Sequence, residues 1–390
     1  MNDWIAAVGR YAQRVRAVAG GEHHVASPLG AWLLPALTAS ATPDPDPGLT
    51  EALGVSPSQA ADVAGTLLTA PHPLVAAATA VWHSGHVDRA ALARWQAGLP
   101  SATAVEPLRG QDDLDRWARA NTFGLIKRFP VSVPPRTALV MGSALATKVR
   151  WDTPFRPAPA RALGPASPWA SRLSTVLRTP RHGHDAYVAT TAQAGDVIVH
   201  AAPATLPGAP GTLRVMSVAA APGVEPGRVL AAAYAIGAAA RTPLSALPLG
   251  ETALWDAREE MSSGGDSCQA VLPCWSATSD HELAGPGLGF DAAARTLAPL
   301  TGGGGFQARQ SATATFGRYG FEAAAVTGFA ARGGAPAPRL VRSVELRFGH
   351  PYAVVAFTDA APDSPWHGVP VFSAWVTEPE DLPESHRGGH

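Results

Sequence analysis

The sequence predicts an α+β protein in which helices come first and strands later, packed around large antiparallel or mixed sheets. Three observations carry this. Up to about residue 130 most apolar residues recur at helical spacing, as Trp4, Val8, Tyr11 and Val15 do in "WIAAVGRYAQRVRAV". From Thr137 onward the chain is a series of strand-length apolar segments. A single later helix, "PGRVLAAAYAIGAAA", interrupts them, and no linker or repeat divides the chain.

After the first helix, "SPLGAWLLPALTASA" has Ser27 as a cap and Pro28 at the first helical position. It is apolar nearly all round, which predicts a helix buried on most sides. Short helices are expected at "LTEALG" and "SPSQAADVAGTLLTA", then a buried strand at "LVAAATAVWHSG". "VDRAALARWQAGL" and "DDLDRWARANTFGLIKR" are amphipathic helices, and His23 and His24 end a loop. The long apolar run "TALVMGSALATKVRW" is a strand. Further strands are expected at "DAYVATT", "DVIVHAA", "TLRVMSVAA", "CQAVLPCWSATSD", "ARQSATATF", "RSVELRF", "PYAVVAF" and "PVFSAWV". In "VELRF" the alternation sets Val344, Leu346 and Phe348 inward, and Glu345 and Arg347 outward. Pro-rich pieces near 43–47 and 156–168 are expected as surface loops.

Composition narrows the function. With 390 residues, 46% hydrophobic and 16% charged, the chain can bury a sizeable core. A net charge of −1 favours neither nucleic acid nor an anionic membrane surface as partner. No run of apolar residues is long enough to span a bilayer. The opening "MNDWIAAVGRYAQRVRAVAG" has no secretion signal, so a cytoplasmic location is expected. Lys occurs only at Lys127 and Lys148 beside abundant Arg, Ala, Gly and Pro, which suggests a GC-rich bacterial source. If the segment holding Cys268 and Cys274 is one strand, six residues set the thiols about 20 Å apart, beyond disulfide reach. Two free thiols suit a reducing compartment, and one such pair is no zinc site.

Several constellations carry little. His182 and His184 beside Asp185 lack a third ligand at a recognised spacing, so a polar strand edge is expected there and no metal. "TGGGGF" at 301–306 lacks the Lys and Ser or Thr of a phosphate loop. No G-x-S-x-G elbow marks a hydrolase nucleophile.

Other signals fall into a family order. "DRWARANTFGLIKRF" followed by "TALVMGSALATKVRWDTPF" resembles the serpin pattern, through Trp117, Thr122, Gly124, Ile126, Lys148, Trp151, Pro154 and Phe155. "SPLGAW" resembles the opening of the serpin buried helix. "FGHPYAVVAF" and "PVFSAWVTEP", with His350, Pro351 and Pro379, resemble the closing serpin strands. "GFEAAAVTG", from Gly320 through Phe321, Glu322, Ala323, Ala324, Ala325, Val326 and Thr327, resembles the serpin hinge.

The resemblance implies one serpin-like domain over 1–380, a reactive-centre loop at about 318–343 and a tail at 381–390. It implies that 137–151 and 307–317 are neighbouring long strands of one sheet, able to part and admit a third. It also implies a monomeric inhibitor of a serine or cysteine protease, with no cofactor and no catalytic residue of its own. The protease cleaves the loop, and the freed loop enters the main sheet as a new strand. The polar network beneath the parting strands and the point where the loop leaves the body fall on Ser27, Gly30, Ser143, Trp151 and Gln310. Here Gly30, Ser143 and Gln310 replace the family's Ser, Asn and His. Counting from the hinge sets the cleaved bond at Gly334–Ala335, and counting back from Phe348 sets it near Leu340–Val341. Arg332, Arg339 and Arg342 all suit a trypsin-like protease. The alternative is a non-inhibitory serpin, a binding or structural module whose loop stays out; a hydrolase comes third.

Overall fold

The structure, a computed structural model, describes residues 3–320 and 339–387. The first half holds α1 (Asp3–Ala19), β1 (His24–Ala26), α2 (Pro28–Thr38), α3 (Gly48–Leu53), α4 (Pro57–Thr69), β2 (Ala76–His83), α5 (Arg89–Gly98), β3 (Thr103–Pro107), α6 (Gln111–Asn121) and β4 (Leu139–Ala146). Then come β5 (Arg156–Pro159), β6 (Thr175–Arg178), β7 (Asp185–Thr191), β8 (Gly195–Thr205), β9 (Thr212–Ala220) and α7 (Pro226–Ala235). They are followed by β10 (Ala240–Thr242), β11 (Gly250–Glu251), β12 (Trp255–Ser262), β13 (Ser267–Leu272), β14 (Trp275–Glu282), α8 (Phe290–Thr296) and α9 (Ala298–Thr301). The chain closes with β15 (Arg309–Phe316), β16 (Arg339–Arg347), β17 (Tyr352–Asp359) and β18 (Pro370–Val376).

Four sheets organise these strands: β1-β18-β17-β9-β8-β7-β10, β11-β12-β16-β13-β6-β5, β3-β2-β4, and the pair β14-β15. In the first, β8, β9 and β17 are antiparallel and nearly all buried, because α7 covers one face and the main core the other. Continuous apolar runs such as "DVIVHAA" follow from that double cover. α2 lies deepest: every residue of it but Leu34 is buried. Its start is fixed as the sequence predicts, with the Ser27 hydroxyl accepting from the Gly30 N–H and Pro28 opening the helix.

Several expected elements differ. The helix expected to reach Arg128 ends at Asn121, because Phe123 and Gly124 take left-handed φ values of 53° and 78°. There Thr122 accepts from Ile126 N–H at 3.0 Å and donates to Ala118 O at 2.7 Å, which fixes the turn. The strand expected across both cysteines is two strands in different sheets, since Pro273 lacks the donor a ladder needs. Both thiols are nevertheless free.

Arg156–Pro159, expected as loop, is an edge strand, where Pro157 and Pro159 cost no inner ladder bond. His24 begins a strand paired to Trp375 and is buried, where a loop end was expected. Residues 381–387, expected as tail, pack back: Leu382 is fully buried and donates to Thr175 O, while Asp381 accepts from the Ser174 and Thr175 N–H groups. Of the pair expected to point outward, Glu345 is half-buried and Arg347 is buried, its guanidinium neutralised by Glu251 and Asp256.

Candidate functional site: a cleft between two strand edges

β4 and β15 were expected as neighbours in one sheet, but they are shorter and belong to different sheets. β4 pairs with β2 on one side, and β15 with β14. Their other edges face a cavity of about 660 Å³, lined by Met141, Ser143 and Leu145 of β4 and by Gln310, Ala312 and Ala314 of β15. Ser27 and Gly30 of the α2 cap also line it.

The reason lies in how each strand is anchored. Ser143 donates to Gly30 O at 2.6 Å. Gln310 accepts from Ser27 N–H at 2.8 Å through its side-chain oxygen and donates to Ser27 O at 2.8 Å through its nitrogen. The Ser27 hydroxyl donates to Val371 O at 2.9 Å. Both strands are therefore tied to the N-terminus of α2 rather than to each other. His281, facing Gln310 across the β14–β15 ladder, extends the set by bonding Val25 O at 2.7 Å.

Beyond the cleft the chains following β4 and β15 converge. Trp151 N–H donates to Tyr319 O at 3.0 Å, its indole N–H to Gly317 O at 2.9 Å, and Phe155 N–H to Arg318 O at 3.0 Å. Arg150 bridges Gly320. Trp151, Phe155 and Phe316 pack as one aromatic group, with centroids 5.2–6.2 Å apart. Gly320 lies so close to β4's continuation that a Cβ there would sit 2.1 Å from Val149 O, and its φ is 146°. Only glycine fits at this exit.

A pair of histidines braces the same corner. His184 bonds Thr153 O at 2.7 Å through Nε2, which fixes the proton there and leaves Nδ1 to accept from His200 Nε2–H at 3.0 Å. Both rings lie against Phe155. Burial lowers His184 to about 4 and His200 well below its ordinary value, so neither carries charge near neutrality. His24, beside His281, is likewise held at about 4 by burial. His182 is exposed, and no cluster of three metal-ligating side chains occurs among the described residues.

Of the residues singled out by sequence, Ser27, Gly30, Ser143 and Gln310 meet at the cleft, and Trp151 and Gly320 meet where the chain leaves it. Phe321, Glu322, Ala323, Ala324, Ala325, Val326, Thr327, Arg332, Gly334 and Ala335 lie outside the described residues. Arg339 and Leu340, expected in an exposed loop, stand in β16 and pair with Ser262 and Met261, so a cut there would fall within a ladder. The described start of β16 narrows the expected loop by excluding 339–343. Sequence reasoning missed Tyr319, Arg318 and His281; two of them act through backbone carbonyls, which leave no residue-type signal.

No protein-family model matches the chain, and no curated protein matches it by sequence. Solved structures do. Tengpin, a thermophilic serpin in its native state, superposes with a TM-score of 0.66 over 96% of this chain and 93% of its own, at 12% identity. Human thyroxine-binding globulin complexed with thyroxine gives 0.63 over 97% and 98%, at 12% identity. Human glycosylated kallistatin gives 0.61 over 98% of both chains, at 15% identity. Sheets and helices thus follow one architecture almost from end to end, and the chain is a serpin-fold protein, divergent in sequence.

Proposed function

We propose that this serpin-fold protein inhibits a serine or cysteine protease by suicide trapping, as a monomer in a reducing compartment and without a cofactor. The observation that carries the reading is the cleft between β4 and β15, beyond which the chain reaches Gly320, the first residue of the hinge, bridged to Arg150. Each flanking edge offers backbone donors and acceptors, and an entering strand would add ladder bonds on both sides, at about 0.5–1.5 kcal/mol net each.

The segment after Gly320 suits that entry. As a strand it sets Phe321, Ala323, Ala325 and Thr327 on one face and Glu322, Ala324, Val326 and Gly328 on the other. Mostly small side chains pass between two strands with little steric resistance. In the proposed sequence the protease nucleophile attacks a loop carbonyl, the new amine terminus departs, and the acyl-enzyme travels with the inserting strand. Gly334–Ala335 and the bond after Arg332 are the candidate sites outside β16.

The test is incubation with a protease panel, followed by denaturing electrophoresis. A denaturant-resistant protein–protease adduct is expected, together with a cleaved form that melts well above the intact one. Cleavage without an adduct and without a gain in melting temperature would overturn the reading. A second reading, a binding module whose loop stays out, is favoured by one observation: bulky Phe321 occupies the first inward position, where a small residue would enter most easily.

A further inference from the structure

Four arginines, Arg156, Arg161, Arg178 and Arg181, line a hollow of about 600 Å³ at the β5–β6 edge of the six-stranded sheet. Glu345 supplies the one carboxylate on its wall and is engaged by Arg178 at 2.6 Å. Arg156, Arg161 and Arg181 are exposed and have no acidic partner among the described residues. Such a concentration of one sign stands out on a chain whose net charge is −1.

The hollow lies on the sheet that receives the far end of the segment 321–338, at β16. Arg156 follows Phe155, whose N–H is bonded to Arg318 O, two residues before Gly320. Glu345 belongs to β16, which starts at Arg339. A protein that grips this segment therefore comes to rest over the sheet and its arginines. The exposed guanidinium groups bury no small anion; they suit a second surface carrying carboxylates, which arginine forks engage in pairs.

We propose that this arginine-lined hollow is a docking surface for the acidic flank of the protease that attacks the loop, an inference that rests on the proposed function. Exposed charges of this kind act mainly on the rate of encounter, and lose their effect as salt rises.

The probes are an anionic and a cationic trypsin, which share a preference for arginyl bonds. The readout is the second-order rate of cleavage between residues 320 and 339, not trapping. The anionic form is expected to cut the wild type faster at low salt. Arg156→Glu/Arg161→Glu/Arg181→Glu should slow it about tenfold, and the difference should vanish at about 1 M salt, where screening acts within about 3 Å. The cationic form should be unaffected or accelerated by the same change. An Arg→Ala triple variant, with an unchanged melting temperature, should fall between. No advantage of the anionic form on the wild type, or equal effects of the triple variant on both forms, overturns the docking surface. Charge-dependent cleavage without an adduct would overturn trapping and leave the docking surface standing.

Discussion

Gln310 brackets the backbone of Ser27, one amide answering both its N–H and its C=O, where an imidazole of similar size could not do so in the same plane. Gln310→Ala would strip both partners from a buried residue. We expect a loss of about 1–3 kcal/mol in the unfolding free energy measured with denaturant. Gln310→Glu keeps the acceptor and loses the donor, and should fall between. At the histidines the sign is set by burial. His24 and His184 are held at about 4 and His200 well below its ordinary value, so the unfolded chain takes up protons that the folded one refuses. Stability from this source is complete above the ordinary histidine value and falls as pH drops from about 6.5 toward 4. The melting temperature should decline over that window, and His184→Gln should flatten the decline. The cysteines give a third expectation. Burial pushes both thiols up to about 12, and Cys274 is only 4% exposed, so thiol reagents should label both rapidly only after unfolding, without reductant.

At the scale of an element, the proposed trapping makes the hinge the place where rate is decided. If the segment enters the cleft as a strand, Phe321 passes first, and its bulk acts on the speed of entry more than on the final state. Burying it is worth roughly 1.5–3 kcal/mol where a pocket receives it. Slow entry favours hydrolysis of the acyl bond and escape of the protease. Phe321→Thr is therefore expected to lower the moles of protein consumed per mole of protease inactivated. No change in that ratio, and none in the melting temperature of the cleaved form, would turn the balance to the non-inhibitory reading. How much of this was legible follows from which elements declare themselves. β8, β9, β17 and β18 are apolar runs buried on both faces, and α2 carries its own cap, so all five could be read directly. β12 could not: "WDAREEMS" has its inner residues at one end and charges at the other, and its pairing with β16 supplies what periodicity lacks. β5 hid behind two prolines tolerated only because it lies at an edge. The cleft residues Ser27, Gly30, Ser143 and Gln310 were legible through family resemblance, yet the gap itself was not. It depends on both strands being tied to α2, a relation between distant segments that no local pattern encodes.

For the whole molecule, the topology of β16 bears on how long the protein would keep the reactive form that the proposed trapping requires. β16, the strand into which the loop runs, is interior to its sheet: it pairs with β12 over eight positions and with β13 over five. Arg342 adds bonds to the carbonyls of Leu244, Ser245 and Leu247 and to Glu259, while its N–H donates to Asp266. An uncut segment of 18 residues that descended alongside the eight of β15 would keep only about ten, or about 33 Å of extended chain, to climb back and reach Arg339. The shortfall has to come from unzipping β16 on both flanks. Ageing is the process this governs. A preparation stored warm should hold its full trapping capacity until it unfolds outright, with no slow drift into an inert folded form. Proline at both Arg258 and Glu259 should remove that endurance, because neighbouring strand residues donate to opposite sides and one of the two must face β16. Capacity lost over days at unchanged secondary structure in this variant, and retained in the wild type, would mark β12 as the strand that sets the protein's shelf life.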